Sequence, residues 1–228
     1  MLKKAKNFLF DLFFPVYCVN CGRENEWICD GCRDKIMVIK SSFCPKCNAL
    51  TEMNRLCERC RKSSSLKGVF MLGYYDDEVL KKAIWEFKYN FIAELGPVLS
   101  KILAEDLITK ATFENSIFIS VPLDKKRLKW RSFNQSDILA EELSKILGAP
   151  FMKGALKRVK ITKSQMGLKR KERIENVSGA FTVRRVVKDE KVFLIDDVIT
   201  TGATLEECAK ELKKAGAKEV WGVVLAKD

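Results

Sequence analysis

The chain has 228 residues, 47% of them hydrophobic, and carries a formal net charge of +12. That length accommodates one α/β domain with a small appendage, and the apolar fraction supports a real core. There is no histidine, which rules out histidine general bases, Ser-His-Asp triads and His-ligated zinc.

At the amino terminus, Lys3, Lys4 and Lys6 precede a run of Phe and Leu that Asp11 interrupts. The run is too short to span a bilayer and no small-residue cleavage site follows, so it does not read as a signal peptide. Met1–Val16 is expected to form a helix that packs its aromatic face on the rest of the protein, with contact to a membrane surface as the alternative. Four Cys-x-x-Cys pairs come next: Cys18 and Cys21, Cys29 and Cys32, Cys44 and Cys47, Cys57 and Cys60. Paired knuckles are zinc-ribbon ligands, and eight thiolates suit two tetrahedral zinc ions in structural sites. Sequential sites are expected, Cys18, Cys21, Cys29 and Cys32 for one ion and Cys44, Cys47, Cys57 and Cys60 for the other; a cross-braced pairing satisfies the same spacing. Disulfides disagree with the absence of an export signal, and a thioredoxin-type motif would be a single pair. An iron–sulfur cluster is the remaining alternative, although its usual spacings differ. A segment this small has little core, so metal would supply most of its stability.

Arg61–Lys67 is polar and serine-rich and reads as a linker, which divides the chain into 1–65 and 66–228. Val69–Tyr75 reads as a strand, and Glu78–Phe87 and Leu95–Ile108 as amphipathic helices. Ile117–Val121 is a strand that ends at Pro122 and leads into a basic loop, Asp124–Ser132. Ser136–Leu147 is helical and stops at Gly148. Phe181–Val187 and Glu219–Ala226 complete the strands, giving a mostly parallel sheet with helices on both faces. Basic residues cluster at Lys125, Lys126, Arg127, Lys129 and Arg131. A second run over Lys153–Arg173 holds nine Lys or Arg against one acid, Glu172. Such clusters attract pyrophosphate or nucleic acid, or simply solubilise a surface. Few exposed aromatics can be assigned for base stacking. Cys208 falls at helical spacing with Leu205, Ala209 and Leu212 and reads as a core thiol.

The densest chemistry lies in Val192–Thr204. Val192–Ile195 is a short apolar run suited to a strand covered on both faces. Asp196 and Asp197 follow at its carboxyl end, where ligands bind in open α/β sheets. Val198, Ile199, Thr200, Thr201, Gly202, Ala203 and Thr204 then lead into a helix over Leu205–Ala215, with N–H groups and hydroxyls for an anion. Carboxylates for sugar hydroxyls beside donors for a phosphate describe a ribose-phosphate pocket. No Gly-Lys-Ser/Thr loop or dinucleotide glycine fingerprint is present in this turn.

This stretch resembles the 5-phosphoribosyl pyrophosphate (PRPP) motif of type I phosphoribosyltransferases. The likeness extends to Val121-Pro122-Leu123 with Arg131-Ser132-Phe133-Asn134-Gln135, where Ser132 replaces a usual glycine. It also extends to Thr162-Lys163-Ser164-Gln165 and Leu168 with Arg173, Asn176, Gly179, Ala180 and Phe181. With the cysteines, these make the chain similar to the ComF family of competence proteins over nearly its whole length. The resemblance implies a type I phosphoribosyltransferase sheet behind an amino-terminal double zinc ribbon. It implies that Asp196 and Asp197 take the ribose hydroxyls and that residues 198–204 cradle the 5′-phosphate. Lys125, Lys126, Arg127, Arg131, Asn134, Gln135, Lys163, Gln165 and Arg173 are candidates for the pyrophosphate loop and for a mobile hood over Lys160–Arg173. Mg²⁺ would accompany PRPP. The family further implies a cytoplasmic role in DNA uptake, with single-stranded DNA and a DNA helicase as partners. The alternative is an active transferase passing ribose 5-phosphate to a nitrogenous acceptor.

Overall fold

The computed structural model describes residues 15–40, 43–160 and 169–228. The helix expected over Met1–Val16 falls almost entirely outside the described residues, as do Lys163 and Gln165. The first described elements are two single-turn helices, α1 (Asp30–Arg33) and α2 (Glu58–Arg61), each starting directly after a cysteine, Cys29 and Cys57. They fold back against the turns that hold the preceding Cys pairs.

After the cysteines the chain alternates strands and helices. β1 (Gly68–Tyr74) is followed by α3 (Glu78–Tyr89) and α4 (Leu95–Leu107), and β2 (Ser116–Ser120) by α5 (Lys125–Arg131) and α6 (Gln135–Leu147). Then come β3 (Leu156–Arg158), α7 (Arg170–Val177), β4 (Phe181–Val183), β5 (Lys191–Ile199), α8 (Ala203–Lys214) and β6 (Glu219–Lys227). β1, β6, β5 and β2 form one parallel sheet in that order. On one face Phe193 and Ile195 of β5 pack with Leu99 and Leu103 of α4 and Leu139 and Leu143 of α6. On the other, Val192 and Leu194 meet Leu205, Cys208 and Leu212 of α8 and the antiparallel hairpin β3–β4. Burial on both faces explains why the strands read as continuous apolar runs. Cys208 is fully buried there, and burial pushes its thiol well above the ordinary range.

Three expectations need correction. β5 does not stop at Ile195; its ladder with β6 runs on through Asp196–Val224 and Val198–Ala226, so both acids lie within the strand. Asp124–Ser132 is not a loop. The Asp124 side chain accepts from the Arg127 N–H at 3.0 Å and caps α5, which stops where Ser132 turns left-handed at φ +66°. Phe181–Val187 contributes only a short strand that pairs outside the main sheet with β3, an element the composition gave no sign of. The expected linker is tied down: Leu66 is buried, the Ser65 N–H donates to Glu206 on α8 at 2.6 Å, and Ser64 bonds the same carboxylate.

Both outer edges of the sheet are covered. Along β1, the Ile39 N–H donates to the Leu72 carbonyl (2.8 Å) and the Val69 N–H to the Asn54 carbonyl (2.9 Å), with antiparallel bridges Val38–Gly73 and Arg55–Gly68. Gly68 permits this approach, since a Cβ there would lie 2.1 Å from the Asn54 oxygen. Ile28 and Ile36 of the first cysteine segment join the core on the α4 face, whereas Cys44 and Leu56 of the second join the core on the α8 face. The cysteine module thus straddles β1. At the opposite edge, the Phe118 N–H donates to Pro150 and the Met152 N–H to Phe118, each at 2.9 Å. Among the described residues no helix is long and apolar enough to cross a membrane.

Candidate functional site

The two acids of β5 occupy different environments at the carboxyl end of the sheet. Asp196 Oδ1 accepts from the Ser136 hydroxyl at 3.1 Å and from the Asp197 N–H at 2.9 Å. Burial, then the neighbouring Asp197 charge, pushes the Asp196 carboxyl up to about 7, against the pull of the Asp197 N–H, Lys88 and Ser136. Asp197 forms an ion pair with Lys88 of α3 at 2.8 Å, both side chains 14% exposed. One carboxyl is therefore poised to hold a proton near neutrality while its neighbour is matched by a cation.

β2 ends at Ser120, one residue short of the acids, and the Val121 N–H bonds Ile195. This opens a crevice between β2 and β5 whose wall is the start of α6. Ser120 donates to Asp137 at 2.6 Å, and Asn134 donates to Asp137 and to the Val121 carbonyl, fixing that helix start. Gln135 is fully buried, and both ends of its amide lack a partner among the described residues, as do Asn134 Oδ1 and Arg131 Nε. Unmatched buried polar groups at one helix start are costly. Arg131 is 6% exposed; burial lowers its pKa, and the Asp197 charge opposes that.

Thr200, Thr201 and Gly202 form the turn from β5 into α8. Gly202 caps α8 at φ +75°, a conformation that suits glycine. The Ala203 N–H reaches Thr201 Oγ1 at 3.4 Å, and Ala203 and Ile199 are buried beneath the turn while Thr204 is half-buried. The turn thus presents half-buried hydroxyls and the N-terminal N–H groups of a three-turn helix, a general anion-binding arrangement.

The remaining candidates spread out. Lys125 and Lys126 are exposed on α5, and Arg127 pairs with its own cap Asp124. Arg173 is half-buried on α7. Three residues at the crevice were not singled out from the sequence: Lys88, Ser136 and Arg158. Arg158, on β3, lies 5.4 Å over the Phe181 ring; burial lowers its pKa, and the charges of Asp124 and Asp196 oppose that. It belonged to the basic run over 153–173, where nothing distinguished it from its neighbours.

The eight module cysteines fall into two sets, Cys18, Cys21, Cys29 and Cys32, and Cys44, Cys47, Cys57 and Cys60, the sulfurs of each set lying within 4.8 Å of one another. The pairing is sequential. A tetrahedron of zinc–sulfur bonds has sulfur–sulfur edges of about 3.8 Å, and Cys21–Cys29 and Cys47–Cys57 stand 3.6 Å apart. Burial pushes the Cys18 thiol up, but the N–H groups of Cys21, Cys29 and Asn20 outweigh it and bring it down to about 6. The Ala49 N–H does the same for Cys47, to about 6, whereas burial and its sulfur neighbours push Cys60 up to about 12. Four thiols so close cannot all ionise unaided, and a divalent cation resolves the conflict. All four positions around each centre are sulfur, as in structural zinc sites.

Comparison with known proteins agrees with both halves. Residues 9–61 match the family model described as a double zinc ribbon domain, and residues 135–228 that of a phosphoribosyl transferase domain. Competence protein F of Haemophilus influenzae is 34% identical over 232 residues, covering 94% of this chain and 99% of that protein. DNA utilization protein YhgH of Escherichia coli is 30% identical, covering 92% and 97%. Competence protein ComFC of Bacillus subtilis is 27% identical, covering 85% and 81%. An identity of 34% carried across the cysteine module and the sheet together shows that the chain belongs to the ComF family of competence proteins.

Proposed function

We propose that the chain binds PRPP in the crevice at the carboxyl end of β5 and acts in the cytoplasm in DNA uptake, handling incoming single-stranded DNA with a DNA helicase. The observation that carries the PRPP reading is the juxtaposition, on one strand and the turn after it, of a half-neutralised acid pair and an anion-binding helix start. The names of the relatives, competence protein F and DNA utilization protein, support the biological setting.

In this reading Asp196 and Asp197 accept the ribose 2′- and 3′-hydroxyls. Residues 198–204 surround the 5′-phosphate with N–H groups and the hydroxyls of Thr200, Thr201 and Thr204. Lys88 holds Asp197 in place and offsets its charge, so the pair can receive a sugar that carries a pyrophosphate. Arg131 and Arg158 meet the pyrophosphate charge from inside the protein, where preorganised cations act most strongly. Lys125, Lys126, Arg127, Asn134, Gln135, Lys163, Gln165 and Arg173 complete the pyrophosphate loop and hood. The carboxylate oxygens of Asp196 and Asp197 would hold a hard cation such as Mg²⁺ brought with PRPP, which would supply charge neutralisation for a leaving pyrophosphate.

One buried and one half-buried guanidinium, Arg131 and Arg158, each feeling the charge of one of the acids, favour a second reading, an active phosphoribosyltransferase with a nitrogenous acceptor. Loss of pyrophosphate builds negative charge on the leaving group, which these cations would stabilise without any protein nucleophile. Calorimetric titration of the zinc-loaded protein with PRPP and Mg²⁺ tests the pocket. Binding by the unmodified protein and none by Asp196→Asn, Asp197→Asn is expected; no binding, or equal binding by the variant, overturns it. Acceptor-dependent release of pyrophosphate then separates the two readings.

A further inference from the structure

The sequence offered few aromatics for base stacking, but the structure assembles them. Trp85 is 47% exposed, Phe91 38% and Trp130 57%. Trp85 and Tyr89 are one helical turn apart on α3, with ring centroids separated by 5.8 Å. Tyr89 meets Trp130 of α5 at 6.2 Å, and Phe91 stands edge-on to Trp130 at 4.9 Å. Phe91 holds this place at φ +59°, a backbone conformation that a bulky residue rarely takes. The Arg131 guanidinium, itself buried, lies 5.3 Å over the Tyr89 ring and 6.0 Å from that of Trp130.

A water-facing row of large rings is unusual on a soluble surface and marks a contact site. Its surroundings select the partner. α5 presents Lys125, Lys126 and Lys129, all exposed, on the same short helix as Trp130. Of the acids close by, Asp124 pairs with Arg127, while Glu86 accepts from the neutral Asn90 amide at 2.7 Å and keeps its charge against the three lysines. Rings interleaved with lysines match a polymer with flat faces on a polyanionic backbone. The bases of a duplex are stacked on each other and offer no free faces, so the match is to a single strand. The row ends near the crevice: the Arg131 guanidinium that lies 5.3 Å over the Tyr89 ring also feels the Asp197 charge.

We infer that Trp85, Tyr89, Phe91 and Trp130, with the lysines of α5, form a stacking platform for single-stranded DNA that leads to the acid crevice. This rests on the DNA-handling reading above and locates its surface. The test measures fluorescence anisotropy of the zinc-loaded full chain with a labelled twenty-base oligothymidylate and with a labelled duplex of about the same length. Unmodified protein is expected to prefer the single strand, with salt-sensitive affinity. Trp85→Ala, Trp130→Ala should weaken single-strand binding by about tenfold or more for each ring, and Trp85→Phe, Trp130→Phe should restore much of it. PRPP titration of each variant reports an intact crevice and fold independently of DNA. If the unmodified protein ignores the single strand, the DNA-handling reading falls and the platform with it. If it binds, but the Ala variant binds equally, or duplex and single strand bind alike, the platform alone is refuted.

Discussion

Replacing Asp196 with Asn removes a charge and little else, which makes it a clean probe of the crevice. The Asn side chain keeps the oxygen that accepts from Ser136 and from the Asp197 N–H. In the native chain burial, followed by the Asp197 charge, pushes the Asp196 carboxyl from 3.8 up to about 7. A folded pKa above the unfolded value means that the folded state binds the extra proton between these limits. The group is therefore harmless below about pH 4, lowers stability progressively as pH rises towards 7, and adds no further penalty beyond. At about 1.4 kcal/mol per pH unit, the penalty is about 3 kcal/mol at pH 6 and about 4 kcal/mol at pH 9. Asp196 keeps some exposure, so solvent screening trims both figures. Urea melts of the two zinc-loaded proteins at pH 6, 7, 8 and 9 measure the difference, staying above the range in which protonated thiols release metal. Asp196→Asn is expected to be the more stable protein throughout, with a gap that widens by about 1 kcal/mol from pH 6 and saturates above about pH 8. A variant less stable than the native chain at pH 9, or a gap that narrows as pH rises, refutes the electrostatic account. The same substitution is expected to abolish PRPP binding, so stability would rise as function is lost.

Other outcomes follow from the module and from α5. Cys44→Ser should cut bound zinc from two ions to one, counted by a colorimetric chelator, and lower the melting temperature by at least about 10 °C; a stoichiometry that stays at two would contradict the sequential tetrads. Ser132→Gly should stabilise the chain by about 0.5–1 kcal/mol in denaturant melts, because Ser132 adopts φ +66° at the end of α5 and a left-handed non-glycine residue carries a cost that glycine's extra unfolded-state freedom offsets only partly. A loss of stability would show that the Ser132 side chain does more than occupy the turn.

What could be read from the sequence is what is local along the chain. The cysteine sets are defined by short spacings, and Asp196 to Thr204 lie within one strand and one turn. The strands were visible because burial on both faces leaves an apolar run, as in Val192–Ile195. Lys88 and Ser136 carry no such local signal, because they come from helices far away in sequence and look there like any other Lys or Ser. α5 reads as a loop from sequence because its charges show no apolar period; its cap at Asp124 and its stop at Ser132 define it instead. The ring row was invisible for a third reason. Trp85 and Tyr89 fit an ordinary amphipathic helix, and only the packing of α5 against α3 shows that Trp130 continues the row.

The seam between the cysteine module and β1 ties metal supply to the chain's fate during synthesis. The module emerges first, and the strand whose outer edge it covers follows directly. A chain that reaches β1 without its zinc carries a long, apolar, unpaired strand edge, the usual template for pairing with another copy. Overexpression in zinc-poor medium should therefore yield aggregated protein with an intact amino-acid sequence, and adding zinc during growth should recover it more effectively than adding it to the finished aggregate.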